Sequence, residues 1–157
     1  MCGIAGIVGG HSSKELLFKM LDAQKHRGPD NTGSWCSDNV FLGHNRLSII
    51  DLSEEANQPF TDFSQRYQII FNGEIYNYIE LKEELDYNFI TNSDTEVLLA
   101  AYIKWGVKCL ERLIGMFSFA IWDTLNKTLF AARDRIGVKY FFYHLKENTL
   151  YFSSEIK

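Results

Sequence analysis

MFSFAIWD-TLNK-TLFAARD, residues 116–134, decides how this chain folds. Two apolar, aromatic-rich runs flank a short polar link, the pattern of a β-hairpin. A second pair follows at once, KYFFYHL (139–145) and TLYFSS (149–154) around KEN. Upstream, NSDTEVLLAAYIKW (92–105) predicts a helix. Ser93 and Glu96 stand at capping-box spacing, and Val97, Leu98, Ala101, Tyr102 and Trp105 form its apolar stripe. KCLERLIG (108–115) extends or restarts it after Gly106. Before it come a strand over 67–77, YQIIFNGEIYN, and a short helix, YIELKEEL. Further back, 39–51 is strand-like, and residues 12–30 predict a helix with Ser12 and Glu15 as capping box, ended by Gly28-Pro29. GIAGIV (3–8) is a short buried strand. Strands, then helices, then strands again make an α+β fold with antiparallel sheets covered by helices.

The 157 residues fit one domain, and 46% apolar with 15% aromatic content supports a real core. A net charge of −4 without a basic cluster argues against a nucleic-acid partner working through phosphate neutralisation. No apolar run is long enough to span a membrane, and no signal-like segment opens the chain. A cytoplasmic location is therefore expected. Cys2, Cys36 and Cys109 are odd in number and widely spaced. They make neither a disulfide framework nor a zinc pattern, and the four histidines are equally scattered, so no metal is expected.

Four places in the chain carry chemistry. Cys2 becomes the first residue if Met1 is removed, and then holds a thiol and a free α-amine on one carbon. The amine can take the thiol proton and later protonate a leaving group, so one residue supplies nucleophile and base. The plain alternative is a terminal thiol without a role. Asn72-Gly73-Glu74 ends an apolar strand. An asparagine amide beside a glycine N–H can supply two oxyanion donors, although Asn-Gly is also the commonest turn signal. Arg46, set among strand residues in GHNRLSIID, suits a bidentate grip on a carboxylate, or else lies at an exposed edge. Asp94 can hold an ammonium group, or merely complement a helix N-terminus. Together these parts describe a site for an α-amino acid with a cleavable side-chain carbonyl, and glutamine fits.

The stretches MCGIAGIVG, HRGPDNTG, LGHNRLSIIDLS, NQPF, FNGEIYNYIEL, SDTEVLLAAYIKWG, GMFSFAIWD, ARDRIGVKYFFY and FSSEIK run in order over nearly the whole chain. In them the sequence resembles the class II, N-terminal nucleophile type of glutamine amidotransferase domain, and more narrowly the amino-terminal half of glutamine-hydrolysing asparagine synthetases. The resemblance implies that Cys2 attacks the glutamine side-chain amide, with the Asn72 side chain and Gly73 N–H stabilising the oxyanion. It implies that Arg46 holds the α-carboxylate, that Asp94 with backbone near Gly73 and Glu74 holds the α-amine, and that Leu47, Ser48, Ile49 and Ile50 line the pocket. Glutamate and ammonia are the implied products, and a four-layer αββα sandwich with two antiparallel sheets is the implied fold.

HRGPD (26–30) is a structural loop on this reading, with Asp30 pairing His26 or Arg27. Arg133, Asp134 and Arg135 lie where the family faces its synthetase half. Two departures from the family's pattern stand out: Tyr140 follows Lys139 where a proline is usual, and 84–91 is short. The family's SGGxDS loop for ATP is absent from these residues. Residues 1–157 are thus expected to be the amidotransferase domain alone. It needs no cofactor of its own, ATP and magnesium are expected only in the absent synthetase domain, and a homodimer is an open arrangement. The alternatives are another class II amidotransferase or a non-catalytic regulatory domain of the same fold.

Overall fold

A computed structural model describes residues 1–10 and 13–156. The chain runs β1 (Gly3–Val8), α1 (Lys14–Ala23), β2 (Asn31–Ser37), β3 (Val40–Arg46), β4 (Phe60–Thr61), β5 (Tyr67–Ile75), α2 (Tyr78–Glu84), α3 (Asp94–Trp105), β6 (Gly115–Asp123), β7 (Thr128–Arg133), β8 (Phe142–Lys146) and β9 (Thr149–Ser153). The strands form two sheets, ordered β2-β3-β1-β9-β8 and β4-β5-β6-β7. Every pairing is antiparallel.

Period-two alternation explains the layering. In β6, Phe117, Phe119 and Ile121 face α2 and α3, while Ala120 and Trp122 face the other sheet. In β5, Ile69 and Phe71 point to the helices and Ile70 to the sheet interface. Both faces of these strands are covered, so they read as continuous apolar runs rather than alternating ones. In β1, Ile4 faces the second sheet, whereas Ala5 and Ile7 meet Leu17 and Leu21 of α1. The result is helix, sheet, sheet, helix, the four layers expected. Phe119 is fully buried, and cutting it to alanine should cost about 3–5 kcal/mol.

Three local expectations change. The first helix stops at Ala23 and a 3₁₀ turn, Lys25–Arg27, follows. Its capping residue is Ser13, whose hydroxyl accepts from Leu16 N–H at 3.1 Å; Ser12 lies outside the described residues. Gly106, at φ 58°, ends α3, and a 3₁₀ helix over Gly106–Glu111 replaces the continued α-helix. Asp30 pairs with neither His26 nor Arg27: it accepts from Ser48 N–H at 2.8 Å, and those two residues both reach Glu155 instead. Among the described residues no helix is long and apolar enough to cross a membrane.

Candidate active site

Cys2 precedes β1 at the edge of a cleft of about 130 Å³ between the two sheets and the start of α3. The β1–β3 register pairs Gly3 with Asn45, which brings Cys2 beside the end of β3. Leu47 N–H donates to Cys2 Sγ at 3.4 Å, and the thiol lies 3.6 Å from Leu47 O. Arg27 Nε donates to the Cys2 carbonyl at 2.9 Å and is itself salt-bridged to Glu155 at 2.9 Å. The backbone of Cys2 is thus pinned from a turn 25 residues away.

Burial pushes the Cys2 thiol up, against the Leu47 N–H contact and the positive charges of the terminal amine and Arg46. A thiol held protonated needs a base at the moment of attack. Among the described residues no histidine lines the cleft. His44, fully buried, bonds the Phe71 carbonyl at 3.1 Å across the sheet interface, and burial drives its pKa down to about 3. His26 is engaged with Glu155.

Arg46, Asn72, Gly73, Glu74 and Asp94 all line the same cleft as Cys2. Arg46 closes β3, is 7% exposed, and is locked by the loop that follows. One Nη donates to Ser53 O at 2.7 Å and Asn57 Oδ1 at 2.8 Å, and the other to Asp51 O. A guanidinium has five N–H groups, so two remain without a partner among the described residues, enough for a carboxylate. Asp94 opens α3, buried, and its carboxylate accepts from Ile75 N–H at 3.0 Å. Burial raises it to about 6, with Glu74 adding to the rise and the Ile75 amide opposing it. It awaits a cation.

Asn72 is not in a turn. It sits inside β5, paired with Ser118 of β6, and its amide lies 3.5 Å from Ser154 Oγ. Ser154 Oγ also accepts from Ile4 N–H at 3.0 Å, which ties the strand that follows Cys2 to the residue holding the amide. Gly73 is glycine because β6 is too close: a Cβ there would stand 2.3 Å from Met116 O. Leu47, Ile49 and Ile50 line the cleft, but Ser48 does not, its N–H being used by Asp30.

Sequence reasoning missed several lining residues, among them Gln58, Thr95, Met116 and Lys139. Gln58 accepts from Phe71 N–H at 2.6 Å and donates to Thr95 at 3.1 Å, bolting β5 to α3. Its place inside the NQPF stretch was the available signal. Asp134 organises the turn after β7, where its carboxylate accepts from Phe117, Val138 and Lys139 N–H. Arg135 caps the Leu110 carbonyl at 3.0 Å.

Residues 1–157 match the family described as glutamine amidotransferase domain. The chain is 43% identical over its whole length to asparagine synthetase [glutamine-hydrolyzing] 3 of Bacillus subtilis, spanning 27% of that protein. It is 42% identical over its whole length to the amidase chry2 of Gibberella zeae, spanning 26% of it. The chain thus spans about a quarter of these curated relatives. In structure it resembles the glutamine phosphoribosylpyrophosphate amidotransferase of B. subtilis, with a TM-score of 0.83 at 22% identity over 98% of this chain and 42% of that one, which shows a shared fold. By the family match and these relatives, the chain belongs to the glutamine amidotransferase domain family.

Proposed function

We propose that this domain hydrolyses the side-chain amide of glutamine, using Cys2 as an N-terminal nucleophile after Met1 is removed. The observation that carries the reading is the lining of one cleft by the Cys2 thiol, the Arg46 guanidinium and the Asp94 carboxylate. That set matches an α-amino acid: the free donors of Arg46 take the α-carboxylate, Asp94 beside Glu74 takes the α-ammonium, and the side chain extends to the sulfur. Leu47, Ile49 and Ile50 flank it, and the Gly73 N–H and Asn72 amide serve the developing oxyanion.

In the reaction, the Cys2 α-amine accepts the thiol proton as Sγ bonds to the amide carbon. The tetrahedral intermediate collapses with cleavage of the C–N bond, and the same amine returns the proton to the leaving nitrogen, giving ammonia. Water, deprotonated by the amine, then splits the γ-glutamyl thioester to glutamate and restores the thiol.

The finer reading is that ammonia serves an asparagine synthetase-like amidation carried by a synthetase domain or partner, where ATP and magnesium would act, in a cytoplasmic enzyme with a homodimer as its candidate assembly. The names of the relatives support that branch. The test is glutamate release from glutamine by the native protein, with its N-terminus checked by mass. Release that Cys2→Ala abolishes supports the reading. A free Cys2 without turnover, even with the synthetase substrates present, supports the inert regulatory domain instead.

A further inference from the structure

Among the described residues, Lys139 is the one cation lining the cleft that the proposed reaction leaves unused. It ends the turn that Asp134 organises: Lys139 N–H donates to Asp134 Oδ2 at 3.0 Å, and Asp134 N–H donates to Phe117 O at 2.8 Å. Clamped to β6 in this way, the turn carries the lysine side chain inward until the residue is only 5% exposed. Its Nζ donates to Met1 Sδ at 3.1 Å. A thioether is a weak acceptor, and Lys139 is in none of the ion pairs among the described residues. A buried ammonium held by such a partner is poorly compensated. Its acceptor also belongs to the residue that maturation takes away.

Chain geometry bounds how far the ammonium stands from the Cys2 nitrogen. The reach of a methionine side chain keeps Nζ within about 10 Å of the Cys2 nitrogen. Other charged groups stand around Cys2 and its cleft. Arg27, from the turn after α1, donates to the Cys2 carbonyl at 2.9 Å and is ion-paired with Glu155. Arg46 comes from β3, Glu74 from β5 and Asp94 from α3. Asp134, beneath Lys139, spends its carboxylate on backbone amides. When glutamine binds, its carboxylate occupies Arg46 and its ammonium occupies Asp94. Lys139 then remains as the unpaired cation.

We propose that Lys139 is a positioning residue for the base: once Met1 is gone, its ammonium shares the cleft with the Cys2 α-amine and keeps that amine in the neutral, proton-accepting form at physiological pH. The inference rests on the amidohydrolase reading above. A neighbouring positive charge disfavours a second one, so the free amine titrates lower than it would alone. Burial lowers the pKa of Lys139 itself, with Arg27 adding to the effect and Cys2, Glu74 and Asp134 opposing it.

The test compares the native polypeptide with Lys139→Gln and Lys139→Arg, each confirmed by mass to begin at Cys2. The pH dependence of kcat/KM for glutamine hydrolysis is measured, since it reports the free enzyme. Removing the charge should move the acid limb up by about half to one pH unit, which is a loss of roughly 3–10-fold at pH 6.5 with recovery in alkali. Lys139→Arg should hold the wild-type limb. An unmoved limb in Lys139→Gln overturns the proposal, as does an arginine variant displaced as far as the glutamine one. A second readout needs no turnover: the rate at which cyanate carbamylates the Cys2 amine, followed by mass against pH, tracks the neutral amine. Its midpoint should rise by the same amount in Lys139→Gln, and an unchanged midpoint overturns the proposal even if the protein hydrolyses nothing.

Discussion

Replacing Asp94 by asparagine should stabilise the protein while destroying its grip on substrate. The carboxylate is buried, and burial raises its pKa from 3.8 to about 6. The sign follows from linkage. Below pH 4 the group is protonated in both folded and unfolded chains and contributes nothing. As pH rises from 4 to 6 the unfolded chain releases its proton more readily, so the folded state loses stability, and the loss is complete above about pH 6. About two pK units correspond to about 3 kcal/mol. An asparagine carbonyl can still accept the Ile75 N–H, but its new NH₂ group must be buried, which takes back about 1 kcal/mol. The expected net gain is about 2 kcal/mol at pH 7.5, or about 4–8 °C in Tm for a chain of this size. Urea unfolding without glutamine, repeated between pH 4 and pH 8, measures it. The gain should shrink with falling pH, cross zero and become a deficit of up to about 1 kcal/mol by pH 4, where only the cost of the buried NH₂ remains. A variant no more stable than wild type at pH 7.5, or one whose advantage is independent of pH, would refute the assignment of Asp94 as a strained site waiting for a cation.

Four further outcomes follow from the same contacts. Cys2→Ala should lower glutamine hydrolysis by roughly 1,000-fold or more, with circular dichroism unchanged, because the nucleophile is lost and the strand after it is not. Ser154→Ala should lower kcat by roughly 10-fold with KM little altered, as the Asn72 amide loses its anchor, and Ser154→Thr should recover part of it in steady-state assays. Gly73→Ala forces a methyl to 2.3 Å from Met116 O and should destabilise the fold by about 1–3 kcal/mol in thermal melts. His44, with its pKa pushed down to about 3, is neutral when folded, so stability present above pH 6.5 is lost as pH falls toward 3. His44→Gln, which keeps a donor for the Phe71 carbonyl, should flatten that loss in acid unfolding curves.

What was legible in the chain was local or densely apolar. β5 and β6 announce themselves because both their faces are covered, and α3 because Ser93 caps it and its apolar stripe repeats at helical spacing. β2 was not legible. NTGSWCS is polar and small, and it becomes a strand only through its register with β3 at the sheet edge. The thiol, Arg46, Asn72 and Asp94 could be named from residue type and motif, but not what tunes them. The loop carbonyls that lock Arg46 come from an irregular segment with no periodicity to read. Glu155 meets Arg27 across 128 positions, and Ser154 meets Asn72 across 82. Lys139 in GVKYFF carries no local signal of burial, and only the Asp134 turn brings it inward. Contacts made by tertiary closure leave no spacing in the sequence.

Attack by the sulfur of an N-terminal Cys2 on a glutamine side chain held by Arg46 and Asp94 can be measured directly. The native protein is incubated with 6-diazo-5-oxo-L-norleucine, a glutamine analogue that alkylates the attacking atom, and its N-terminal peptide is sequenced by mass. One adduct is expected, on the sulfur of a peptide beginning CGIAGIVGG, blocked by excess glutamine and absent from Asp94→Asn. An unblocked Cys2 left unmodified, or an adduct on Cys36 or Cys109 instead, would contradict it.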